Sequence, residues 1–95
     1  MAGVLNPFMV KGNVPSNTSF DTILETGLYA QNADVNGASG LPDGYRHGSL
    51  IVFNCGYGTA GGGNPIVQLF FDSALTRPTL VRTKWVSTWY EWKEL

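Results

Sequence analysis

The chain has 95 residues, the size of one domain, and a formal net charge of −1, from six Lys and Arg against seven Asp and Glu. With no basic run it lacks the electrostatic footprint of a nucleic-acid binder, and no apolar stretch approaches the roughly 20 residues that span a bilayer. Charged residues make up only 14% of the chain, against roughly 25% in an average soluble protein, which excludes a helical bundle with charged faces.

Twelve glycines then point to a mainly β, small α+β domain, an antiparallel sheet with one short N-terminal helix and two long loops. A polar but uncharged surface suits neutral polar ligands such as sugars, and suits plain solubility equally well. Residues 1–8 read as a linker or an expression remnant. The opening "MAGVLNPFMVKGNVP" has neither the charged n-region nor the continuous apolar h-region of a signal peptide.

The helix is expected in "NTSFDTILETG", where Phe20, Ile23 and Leu24 stand at i, i+3 and i+4. Thr18 or Ser19 would cap it, and Gly27 would be its left-handed C′ residue. Strand signals follow in "GLYAQ" (27–31), "SLIVFNC" (49–55), "PIVQLFFD" (65–72) and "PTLVRTKW" (78–85). In the second, Leu50, Val52 and Asn54 share a face opposite Ile51, Phe53 and Cys55. The third is apolar on both faces except at Gln68. In the fourth, Val81, Thr83 and Trp85 oppose Leu80, Arg82 and Lys84, so the charged face is expected to be solvated. The single cysteine excludes an internal disulfide, and Cys55 reads as a buried strand residue.

Two long loops remain, at 32–48 and 56–64. In the first, Asn32, Asp34, Asn36 and Asp43 fall at spacings that a calcium-binding loop could use, although Asn, Asp and Gly are also ordinary turn residues. Tyr45, Arg46 and His47 form its polar-aromatic cluster. The second loop, with Tyr57, is glycine-rich but lacks the Lys-Ser/Thr of a phosphate-binding loop. Of the seven carboxylates, none sits in a recognisable catalytic setting, so neither an enzyme nor a cofactor is expected.

The chain ends in "KWVSTWYEWKEL", with Trp85, Trp89 and Trp92 at i, i+4 and i+7. The β-branched "VST" argues against a helix. A strand ending near Trp85, a turn, and a last strand "WYEWKEL" are expected. Trp89, Glu91 and Lys93 would then share one face, and Tyr90, Trp92 and Glu94 the other. These aromatics serve either as core or as a stacking platform.

"TWYEWKEL" resembles the T-W-S-x-W-K/R-x-L ending of the pyocin-knob family, small domains near the tips of phage tail fibres and of phage-tail-like bacteriocins. Other stretches agree in order. "MVKGNVPSNTSFDTI" (9–23) is similar to L-K-G-x-V-P-x-x-T-D-L-N-T-L. Thr26, Gly27 and Tyr29 fall where the family has threonine, glycine and tyrosine. Gly48, Leu50 and Val52, then Gln68 and Phe71, then Arg82 and Thr83, match further positions. The resemblance spans residues 9–95. It departs at Phe20, at the 32–48 and 56–64 loops, and at the extra Trp85.

The resemblance implies a non-catalytic receptor-binding knob at the C-terminal tip of a homotrimeric fibre, exposed on the virion. Its implied target is a bacterial surface polysaccharide, lipopolysaccharide or another outer-membrane component. Tyr45, Arg46, His47, Tyr57 and Trp85 are the contacts expected. A folding and trimerisation cap that binds nothing else is the alternative.

Overall fold

The computed structural model describes residues 10–55 and 65–95. Among them, one sheet carries strands β1 (Val10–Asn13), β2 (Gly27–Asn32), β3 (His47–Asn54), β4 (Ile66–Asp72), β5 (Leu80–Trp85), β6 (Thr88–Trp89) and β7 (Lys93–Glu94). The order is β1-β2-β3-β4-β5-β6, with β7 also paired to β5. From β2 onward the pairing is antiparallel, in continuous cross-strand rows. Only β1–β2 is parallel, which makes the sheet mixed at that edge. No helix of the described residues is long and apolar enough to cross a membrane.

A parallel pair needs a crossover between its strands. Residues 14–26 supply it, as an arm laid across one face of the sheet. The helix expected here is a single 3-10 turn, Phe20–Thr22, in which Ser19 Oγ accepts from Asp21 N–H. Gly27 is not its left-handed cap but the first residue of β2. The apolar i, i+3, i+4 spacing has another cause. Phe20 and Ile23 point from the arm into the sheet, where they join Val14, Tyr29, Leu50, Val52, Ile66, Phe70 and Leu80 in the core.

Residues 33–46 cover the rest of this inner face. The α-helix α1 (Ala33–Asn36) begins on Asn32, whose side chain accepts from Asp34 N–H, and ends at Gly37 with φ 61°. Phe20 N–H donates to Ser39 O at 2.8 Å and Ser39 N–H to Thr18 O at 2.9 Å, so arm and loop are zipped together. In β3, Gly48 leaves room for its neighbour: a Cβ there would stand 2.8 Å from the Phe70 ring and 2.1 Å from Phe71 O.

The inner and outer faces of β3 and β4 alternate as the sequence predicts. On β5 the expectation is inverted. Leu80 and Arg82 face the core, and Val81, Thr83 and Trp85 face out. Cys55, expected to be buried, is exposed just beyond β3.

Candidate functional site

Three regions merit weighing as sites: the aromatic cage around Arg82, the sheet end that carries Tyr45–His47, and the outer face.

The cage starts from Gln68, the one buried polar residue of β4. Gln68 is fully buried, and its Nε2 donates to Phe20 O at 2.8 Å and to Ile23 O at 3.0 Å, so it fastens the arm to the sheet. Arg82 stands directly across from it on β5 and donates through Nε to Gln68 Oε1 at 2.9 Å. Its Nη1 reaches Asp21 at 2.9 Å, while its guanidinium lies 4.0 Å from the Trp89 ring centroid and 4.6 Å from that of Trp92. Both indoles are pinned through Nε1, Trp89 to Asp21 O and Trp92 to Gly40 O. Burial pushes the Arg82 pKa down, and the hydrogen bond and charge of Asp21 oppose that push.

A break in the last strand makes the cage possible. Lys84 pairs with Trp89, but Val81 pairs with Lys93, so three residues, Tyr90–Trp92, stand opposite two, Arg82 and Thr83. This is a β-bulge, which adds a residue to one strand and resets its alternation. The continuous strand expected over "WYEWKEL" is therefore two short pieces. Trp89 and Trp92, expected on opposite faces, both lie over Arg82. The cage is a tertiary clasp between the chain's end and its N-terminal arm, in which Arg82 Nη2 alone of the guanidinium nitrogens has no hydrogen-bond partner among the described residues.

At one end of the sheet the expected contacts are assembled but largely committed. Tyr45 donates its hydroxyl to Pro78 O at 2.7 Å, packs edge-on against Phe70 and lies under Arg77. Arg46 pairs with Asp34, whose second oxygen stands 3.5 Å from His47 Nε2. Arg46, His47 and Asp34 remain substantially exposed, with side-chain exposures of 58%, 40% and 66%.

Three of the four calcium candidates have other partners, and Asp43 is exposed. Asn32 caps α1, and Asp34 pairs with Arg46 and stands beside His47. Asn36 is buried, exchanging hydrogen bonds with Gln31 and holding Ala38 N–H and Val14 O. Among the described residues no three His, Cys, Asp or Glu side chains are placed to share a metal ion.

Trp85 lies at the opposite end of the sheet from Tyr45–His47, near the pairing of Ile66 with Lys84. It is 52% exposed. Tyr57 falls outside the described residues. Trp85 therefore does not converge with Tyr45, Arg46 and His47 on one site.

The outer face is an unassigned apolar surface among the described residues. Leu28, Ile51, Leu69 and Val81 form one unbroken cross-strand row, and Phe53 and Val67 lie beside it. All six are partly exposed, and every core element among the described residues packs on the other side. Open faces of antiparallel sheets are normally polar. Four strands about 4.8 Å apart make this row roughly 15 Å wide, and contiguous exposed apolar patches mark interaction sites. The alternation in β3–β5 already holds this signal, once β5 is assigned its correct face.

Comparison with protein-family models, with curated proteins and with solved structures finds no match to this chain.

Proposed function

We propose that this domain is a non-catalytic assembly and adhesion module, the C-terminal knob of a phage tail fibre, exposed on the virion and built from several copies of the chain. The observation that carries the reading is the apolar outer face. Leu28, Ile51, Leu69 and Val81 form an uncharged row that meets Lys93 only at its β7 end, so a second copy laid on its centre meets neither repulsion nor desolvated ions. Burying such a face also supplies the stability that a small domain without a disulfide needs. A homotrimer is the assembly that the sequence motifs suggest.

Adhesion to a bacterial surface glycan is the second half of the proposal. The exposed Arg46 and His47 support it, since a guanidinium offers a fork of donors to hydroxyls, carboxylates or phosphates. A specific observation favours the alternative of a folding and trimerisation cap. Tyr45 and Arg46, two of the expected contacts, already have partners in Pro78 and Asp34.

One experiment separates these readings: sedimentation mass measured alongside binding to host cells or extracted surface polysaccharide. An oligomer that binds supports the whole proposal, and an oligomer that does not bind leaves only the cap. A monomer without affinity for either would refute both.

A further inference from the structure

The bulge that turns Trp92 inward also opens a groove on the other side of the strand. Tyr90 N–H donates to Thr83 O at 2.9 Å, which sets Tyr90 beside Thr83 on the outer face. Lys93 stands on the same face beside Val81. Between them is a groove of about 340 Å³, lined by Val81, Arg82, Thr83, Tyr90, Glu91 and Lys93. Tyr90 is 53% exposed, and Trp85, at the end of the same face of β5, is 52% exposed. Among the described residues, neither ring has an aromatic neighbour, and neither Glu91 nor Lys93 has an ion-pair partner.

This set has a definite chemistry. Tyr90 and Trp85 present aromatic surfaces that can cover the C–H face of a ring, and each carries a polar tip. Glu91 accepts hydrogen bonds only, Lys93 donates only, and the Thr83 hydroxyl and the Tyr90 phenol do both. Glu91 and Lys93 cancel in charge and Arg82 is already paired with Asp21, so the groove has no net attraction for a polyanion, and one free lysine is far from the several cations that a nucleic-acid backbone requires. Alternating donors and acceptors around an apolar floor fit a ligand that offers both on every edge, with an apolar ring face between them.

We propose that this groove at the β5 edge is a binding site for a neutral pyranose unit. Tyr90 stacks on the sugar ring. Glu91 and Lys93 take adjacent hydroxyls, and Trp85 extends the platform toward the next residue of the glycan. The proposal rests on the adhesion reading and moves its contact away from Arg46 and His47.

The test is a titration of the isotope-labelled full chain with glucose-, galactose- and N-acetylglucosamine-based trisaccharides, followed by amide and indole NMR shifts. The expected result is movement of Tyr90, Glu91, Lys93 and the Trp85 indole with at least one sugar. Tyr90→Ala then weakens binding about tenfold, as loss of one aromatic stack does. Glu91→Ala serves as a second variant, with the remaining amide spectrum reporting that each variant is folded.

Shifts confined to Arg46 and His47 would overturn the groove and keep the adhesion reading. No response to any sugar would overturn both. A changed sedimentation mass for Tyr90→Ala would make the groove a seam between copies and overturn it as a sugar site.

Discussion

Arg82 and Gln68 face each other across the β4–β5 pair, joined by an Nε–Oε1 hydrogen bond of 2.9 Å within the core face of the sheet. The pair holds two charged or polar groups where a sheet of this size normally places leucine. Its role is to dock the arm, because Gln68 reaches Phe20 O and Ile23 O while Arg82 reaches Asp21.

Arg82→Ala is therefore expected to destabilise the domain by about 3 kcal/mol, through the lost hydrogen bond, two lost cation–π contacts and an unpaired Gln68 oxygen. Gln68→Leu is expected to cost about 2 kcal/mol by leaving the two arm carbonyls and Arg82 Nε without a partner. Urea titration followed by tryptophan fluorescence measures both. A change below about 0.5 kcal/mol in Arg82→Ala, the range of ordinary surface substitutions, would remove the clasp from the account.

Much of this fold is legible in the sequence, and the limits have physical causes. The strands β2 to β5 are readable because alternation fixes which residues share a face. The face that β5 buries is not readable, because polarity alone sends Arg82 to solvent. Only Gln68 Oε1, the Asp21 carboxylate of an arm far away in sequence and the two indole rings make a buried guanidinium acceptable. The strand β1 carries no pattern in "VKGN" and exists through its parallel pairing with β2. The opposition of Trp89 to Trp92 fails at one inserted residue, which no periodicity reveals. The candidate site is legible in part: Trp85 stands out in the sequence and is exposed, and Tyr90 lies opposite Trp89 as alternation predicts, whereas Glu91 and Lys93 gain their positions only from the bulge.

The turn between β5 and β6 holds Val86 at φ 61°, a conformation that β-branched side chains strongly disfavour. Trp85 pairs with Thr88, so Val86 and Ser87 form a two-residue hairpin loop, where glycine or asparagine is the usual choice. Val86→Gly is expected to raise stability by about 1 kcal/mol, the relieved strain exceeding the entropic cost of glycine. Thermal melting measures it, and a lowered Tm would show that the exposed Val86 side chain makes a contact that outweighs the strain.

Tyr29 gives a pH dependence. Its hydroxyl donates to Glu25 O at 2.9 Å, and burial, followed by the charge of Glu25, raises its pKa above the ordinary 10.0. The folded state thus holds this proton more tightly than the unfolded state. The contribution is complete below the unfolded value and is lost as pH rises through the folded one. Stability of the native chain should fall more steeply above about pH 10 than that of Tyr29→Phe. Parallel alkaline slopes in the two proteins would contradict the assignment.

The central claim is that the row Leu28–Ile51–Leu69 is covered by another copy of the chain, with Val81 at its edge left to the groove. Sedimentation equilibrium of the native protein beside Leu69→Lys tests it most directly, because a lysine on each copy sets like charges against one another. The account predicts a multiple of the 10.3 kDa chain mass for the native protein, and association weakened at least about tenfold in a folded Leu69→Lys variant. A native protein that stays monomeric at every concentration, or an oligomer that Leu69→Lys leaves intact, would contradict it.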